Sequence, residues 1–423
     1  MLLRFSLYGF LKNQRYFEPF LLLALLEQGL SFSQIGLLIG FREICVNLFE
    51  IPSGALADQV GRRSAMQLSF VAYIASFAVF GLGDALWHFF VAMFFFGIGD
   101  AFRTGTHKAI IFSWLREQGC EGEKTKIYGY TRSWSKLGSA LSALVAAALV
   151  FRGGQYVDIF WLSIVPYCLN IVNLATYPSS LNSVGSAHQT DHEGGAIHVV
   201  RKVLSRSLEV GSYVVKRRRL RRLMLESMGF EGVYAAVKEY LQPALLAAAI
   251  SLPLWMTIET SQRSALFVGA TYFVLHLLSS LASRNAHRVT PSGSEESGSR
   301  KLWWVFFAIF CMLAAAFALN LHVAVVAGFL LLAIVQNLWR PVLVSRFDDS
   351  SEPSIGATLM SLESQAKSLA TMILAPLLGL AIDWASEDRA GGGLWPIGAL
   401  GITVGLVALI SMPKSRSAAP IAD

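Results

Sequence analysis

Within otherwise apolar stretches the chain carries a few ionisable side chains whose spacing would let them act together. Arg15 and Glu18 are three residues apart, Arg42 adjoins Glu43, and Asp100 precedes Arg103 by three. Arg132 and Lys136 are four apart, Lys238 adjoins Glu239, and Glu363 and Lys367 are four apart. On a helix, residues three or four apart share a face. Asp100, Arg103 and His107 then fall within an arc of about 60°, and the 132/136 and 363/367 pairs each within about 40°. A charge inside a bilayer costs free energy, so such residues tend to be kept where they bind an ion or solute, relay a proton, or pair across helices. The plainer alternative is that each pair simply packs helices together. No Ser-His-Asp set, His-rich cluster or phosphate-cradling Gly loop stands near a span end, so catalysis is not expected. His107 and His276 are each alone on an apolar or small-residue face, which points to packing or hydrogen bonding. No metal and no cofactor is expected.

The elements that must hold these residues are membrane helices. Hydrophobic residues make up 54% of the 423 and charged residues only 15%, too apolar a balance for a soluble globular chain of this size. Runs such as 68–82, 305–319 and 394–410 contain no charged side chain and, with their flanks, approach the roughly 20 residues that cross a bilayer. Period-2 alternation is missing from the apolar runs, and an open sheet would strand backbone groups in hydrocarbon, so an all-α membrane protein is expected. Twelve spans are expected near 4–27, 34–53, 65–83, 87–114, 128–151, 157–177, 223–250, 264–282, 302–320, 322–344, 355–382 and 394–412. The N-terminus lacks a short apolar region followed by a small-residue cleavage site, which makes it a retained first helix. Cys45, Cys120, Cys168 and Cys311 are scattered and read as inert packing residues.

The net charge of +7 follows loop parity. Lys and Arg crowd the loops on one face, whereas Arg152, Arg263 and Arg389 fall on the other, which sets both termini inside. After Pro178 the chain turns small and polar, then basic through Lys216 to Arg219. The expected organisation is therefore a six-helix half over 1–178, a cytoplasmic linker over 179–222, a second six-helix half over 223–413 and a cytoplasmic tail over 414–423. Within the linker, Ile197, Val200, Leu204, Leu208 and Val215 recur at helical spacing among Arg201, Lys202, Arg206 and Lys216, as in a helix on the inner membrane surface or one with a solvated basic face. The halves look duplicated. Arg15-Tyr-Phe-Glu18-Pro19 has a counterpart in Glu239-Tyr-Leu-Gln242-Pro243, and Gly54-to-Arg63 in Ser279-to-Arg288, at nearly constant offset.

The segment after the second span reads Gly54-Ala-Leu-Ala-Asp58-Gln-Val-Gly61-Arg62-Arg63. It resembles the G-x-L-A-D-x-x-G-R-R signature of the major facilitator superfamily, in the loop where that family carries it. The resemblance implies that Gly54, Asp58, Gly61, Arg62 and Arg63 form a conformational latch on the cytoplasmic side, with no more than a turn and topogenic charges as the plainer reading. It also implies a fold of two pseudo-symmetric six-helix halves in which the third helix of each triplet faces lipid, in keeping with the charge-free interiors of spans 3, 6, 9 and 12. The second copy has Ser283 where the pattern has an acid, so the latch is asymmetric. The fifth span, Arg132 to Ser142, lacks the G-x-x-x-G-P-x-x-G-G pattern of drug/proton antiporters.

Together these readings describe a secondary active transporter of the cell membrane, bacterial and inner. Its partners would be a small-molecule solute, protons and lipids but no nucleic acid, and it would be a monomer. The cavity-facing set is Arg15, Glu18, Arg42, Glu43, Asp100, Arg103, Arg132, Lys136, Lys238, Glu239, Glu363 and Lys367, with Asp100 and Glu18 the proton-carrier candidates. An excess of cations in the first half points to an anionic or zwitterionic solute, with Arg132 and Lys136 as contacts. Drug or lipid efflux, or a facilitator-like sensor or scaffold that does not transport, stay open as alternatives.

Overall fold

The computed structural model describes residues 1–103, 106–120, 124–153, 155–182, 196–252, 254, 257–290, 295–350, 355–387 and 393–412. These contain sixteen α-helices: α1 (Leu2–Lys12), α2 (Leu21–Glu27), α3 (Phe32–Val60), α4 (Arg62–Leu82), α5 (Leu86–Arg103), α6 (Thr106–Glu117), α7 (Lys124–Gly153), α8 (Asp158–Ala175), α9 (Ala196–Lys216), α10 (Arg218–Val237), α11 (Leu241–Ser251), α12 (Thr260–Arg284), α13 (Glu295–Ala318), α14 (His322–Asp348), α15 (Gly356–Glu387) and α16 (Pro396–Ser411). Nine of them are long and apolar enough to cross a membrane, against twelve expected segments. The remaining three differ for physical reasons. The last, α16, has only 16 helical residues. The first and seventh expected spans are each interrupted.

The interruptions fall where the duplicated segments place them. α1 stops at Lys12 and α2 starts at Leu21, with turns between. Pro19 supplies no N–H and disfavours helical backbone in the residue before it, so the helix restarts only beyond it. In the second copy α10 stops at Val237, Lys238–Tyr240 tightens into a 3-10 turn, and α11 carries Pro243 as its third residue. There the proline costs little, because the first N–H groups of a helix have no intrahelical acceptor.

In chain order α1–α8 form one group and α10–α16 another. Within the first, α4 packs on α5 and α8, α3 on α5, and α1 on α7 and α8. In the second, α13 packs on α14 and α16, α10 on α14 and α15, and α11 on α12 and α14. Two long seams join the groups, α3 against α15 and α7 against α12, with a shorter contact of α2 on α11. Small residues let the backbones close: a Cβ on Gly379 would lie 2.2 Å from the Phe32 carbonyl, and one on Gly36 2.4 Å from that of Ala375. The linker helix α9 lies on α3, α10 and α15, burying Val210 and Val214 while Leu208 and Val215 stay exposed. Other large apolar side chains, such as Val172 and Ile410, point outward as lipid-facing residues do.

The end of the molecule opposite α9 is tied across the groups. Asp383 accepts from the Phe32 and Ser33 amides at 3.0 and 2.7 Å, where α3 begins. Gln262 donates to the Phe151 carbonyl at 3.1 Å, and the Tyr156 hydroxyl meets Ser264 at 3.3 Å.

Candidate functional site

The charged residues of the first group meet in pairs with different tightness. Arg103, at the end of α5, donates to Asp100 Oδ1 at 2.8 Å and to the Tyr73 hydroxyl at 3.0 Å, while that hydroxyl donates to the same carboxylate at 2.5 Å. Arg42 and Glu43 on α3 are 2.7 Å apart. Arg15 and Glu18, in the interrupted first span, are 3.7 Å apart, and each side chain remains about one-third exposed, at 31% and 32%. Glu18 lies within electrostatic reach of Arg15 and then of Lys238, His276 and Arg42, so it looks onto both groups of helices. Lys238 and Glu239, at the second interruption, are 3.3 Å apart.

Gln242 adds a neutral crosspiece. Its Oε1 accepts from Leu22 N at 2.8 Å, and its Nε2 donates to the Glu18 carbonyl and to Glu239 Oε2, both at 3.0 Å. Lower in the seam, Ser368 on α15 donates to Glu43.

The second group holds its carboxylates more firmly than their sequence suggests. Glu363 is fully buried and forked by Arg340 at 2.5 and 2.8 Å, with a further hydrogen bond from Ser227. Lys367, on the same helix, lies within reach of Glu231, Glu363 and Glu50, and Glu231 accepts from Gln336 at 3.0 Å. Arg340 thus neutralises Glu363, one of the residues expected to face the cavity. Arg346, one of the basic residues that loop parity assigns to the crowded face, is buried against Glu226 at 2.6 Å, and Arg222 flanks the same carboxylate at 2.9 Å. Arg263, likewise read as a loop residue, donates to the Leu252 carbonyl at 2.6 Å where α11 ends.

On the α9 side a cavity of about 620 Å³ opens between the groups, with Arg132 on one wall and Gln336, Asn337, Arg340, Ser345 and Asp348 on another. Lys136 is exposed one turn along α7 from Arg132 and is within electrostatic reach of His276. His107 stacks on Tyr8 with ring centroids 3.7 Å apart and meets the Tyr177 hydroxyl at 3.3 Å, in keeping with its reading as a packing residue.

The signature segment is not a loop. α3 continues through Gly54 to Val60, and the whole reversal occurs at Gly61, with φ 93° and ψ 141°. A Cβ there would lie 2.5 Å from the Asn182 carbonyl oxygen, so both conformation and space require glycine. Arg62 then donates to Ser113 at 3.1 Å and Arg63 to the Tyr177 carbonyl at 2.7 Å, while Asn182 Oδ1 accepts from Ser64 N at 3.2 Å. The Asp58 side chain lies outside the described residues. Gly61→Ala is expected to lower stability by about 1–3 kcal/mol from backbone strain, before steric conflict with Asn182 is added. A melting temperature equal to that of the unmodified protein would contradict this.

Sequence reasoning did not single out Tyr73, Gln336 or Arg340 for the site. Gln242 is the repeat counterpart of Glu18, and that correspondence is the signal that could have found it.

Helices interrupted in mid-span, two close-packed seams and a charged space between them define the fold of a membrane transporter. Solved structures with this architecture include a point mutant of the nucleoside transporter NupG, at a TM-score of 0.77 and 12% identity over 97% of this chain and 98% of that one. A D-xylose-proton symporter aligns with a TM-score of 0.67 and 16% identity over 97% of both chains. A POT family transporter in complex with 5-aminolevulinic acid aligns with a TM-score of 0.67 and 16% identity, covering 97% of this chain and 93% of that one. The chain belongs to the Major Facilitator Superfamily, whose profile matches residues 13–415. It is also 25% identical over 229 residues to the MFS-type transporter YxaM of Bacillus subtilis (strain 168). That alignment spans about half of each protein, 54% of this chain and 54% of YxaM. The protein is thus a multi-pass membrane protein of a transporter family.

Proposed function

We propose that this protein is a secondary active transporter that moves a small polar solute, anionic or zwitterionic, across a bacterial inner membrane by alternating access coupled to protons. The observation that carries the reading is the convergence of Arg15, Glu18 and Arg42 with Lys238, Glu239 and His276 where the two groups of helices meet. Ionisable groups from both sides of a seam would exchange partners if the groups rock, and a carboxylate between guanidinium and ammonium groups suits a bound zwitterion or a carried proton. The tied end opposite α9 and the cavity beside α9 support an inward-facing state in which the solute meets Arg132 first. The latch reading of Gly54, Asp58, Gly61, Arg62 and Arg63 fits the same state, since Arg62 and Arg63 have partners here in the first group of helices. Asp100 is the less suitable proton carrier, because Arg103 and Tyr73 already hold it.

A competition series on protein reconstituted in liposomes tests the substrate class. Organic acids, amino acids or phosphorylated compounds should compete for flux, and Arg132→Ala with Lys136→Ala should weaken that competition by roughly tenfold or more, the worth of one charge-assisted hydrogen bond. Competition by neutral and cationic compounds alone, unaffected by the double substitution, would refute the assignment.

A further inference from the structure

The two interruptions are repeat mates, and one side chain sews them together. Glu18 and Gln242 occupy equivalent positions in the duplicated segments, each followed by proline. Arg15 reaches Glu18 across three residues in the first copy, and Glu239 reaches Gln242 across three in the second, so the local contact is kept while its charge pattern changes. The glutamine side chain is fully buried. Its carbonyl oxygen accepts from Leu22 N at 2.8 Å and Leu23 N at 3.4 Å, and its amide group donates to the Glu18 carbonyl and the Glu239 carboxylate at 3.0 Å each.

Each of these contacts has a physical reason. The break at Pro19 leaves the amides of Leu22 and Leu23 without intrahelical acceptors, in residues that are themselves buried. Gln242 supplies the acceptor from the opposite group of helices. The same amide plane then ends on the main chain of Glu18 and the side chain of Glu239, two members of the charged set. Glutamine suits this position because it offers an acceptor and two donors without adding a charge.

We infer that Gln242 is a positioning residue that couples the Glu18/Glu239 site to closure of the end opposite α9. Separation of α2 from α11 withdraws the carbonyl from two buried amides and the donor from the Glu18 carbonyl at once, while the contact with Glu239 travels with α11, so that end opens only when the site has rearranged. The inference rests on the transport reading for its purpose, but its test needs no transported solute and can fail independently of that reading.

Hydrogen exchange on the purified full chain provides the test, comparing the unmodified protein with Gln242→Leu and Gln242→Glu. The leucine variant removes every polar contact at similar bulk. The glutamate variant keeps the acceptor but faces the Glu239 carboxylate with a like charge and loses the donor to the Glu18 carbonyl. In both, amides in 32–40 and 372–383, where α3 meets α15 near Asp383, should exchange at least about tenfold faster, while 62–82 and 295–318 stay unchanged. In the leucine variant 21–27 should speed up as well. Faster exchange confined to 21–27 would overturn the coupling, leaving Gln242 a local support. Unchanged exchange, or an equal rise in every segment, would overturn it too.

Discussion

Arg340→Ala is expected to destabilise the protein by about 3–5 kcal/mol, because it strands a carboxylate that the fold has removed from solvent. Glu363 is fully buried, and the guanidinium forks both of its oxygens. Ser227 supplies one hydrogen bond and Lys367 is within electrostatic reach, but neither replaces a bidentate partner. Thermal unfolding in detergent measures the effect. Glu363→Gln should cost less, since it removes the charge along with its need for a partner. Joint replacement by Arg340→Met and Glu363→Leu should recover much of the lost stability, as buried pairs exchanged for apolar side chains commonly do. If Arg340→Ala melts with the unmodified protein, the pair is not structural, and Arg340 is free to serve the cavity it lines.

Glu18→Gln is expected to reduce accumulation driven by a proton gradient by on the order of tenfold or more, equivalent to about 1.4 kcal/mol or more of lost coupling. The Glu18 carboxylate is suited to change protonation or partner during transport because, among the described residues, its ion pair is the long one with Arg15 at 3.7 Å, and Lys238 and His276 approach from the other group. Asp100 contrasts with it, held at 2.5 and 2.8 Å by Tyr73 and Arg103. Counterflow without a proton gradient should survive Glu18→Gln better than accumulation does. Asp100→Asn should reduce both together by loosening the packing of α4 on α5. Equal loss of counterflow and accumulation in Glu18→Gln would assign that carboxylate to solute binding alone.

Much of the scaffold was legible before any fold was seen. Apolar runs of bilayer length dictate helices, because backbone groups in hydrocarbon must bond within their own segment. The duplicated Arg15–Pro19 and Glu239–Pro243 segments identified two related places, but the expected spans ran straight through both, and only the structure shows a helix interrupted at each. Gly61 was recognisable as a turn residue from its type. The extent of α3 was not, since nothing in Gly54-Ala-Leu-Ala forbids helix, and the chain stays helical until the positive φ of Gly61.

Which charges face each other was decided only in three dimensions. Arg340 and Glu363 are 23 residues apart, Glu226 and Arg346 120 apart, and Gln242 and Leu22 220 apart. Hydropathy and loop parity act on each segment separately, so they place Arg340 and Arg346 at the end of a span and say nothing of a partner on another helix. Helical periodicity fixes the face a residue shares with its neighbours three or four positions away. The rotation of that face toward lipid, seam or cavity comes from packing against other helices, and packing buried Glu363 while leaving Glu18 between the two groups.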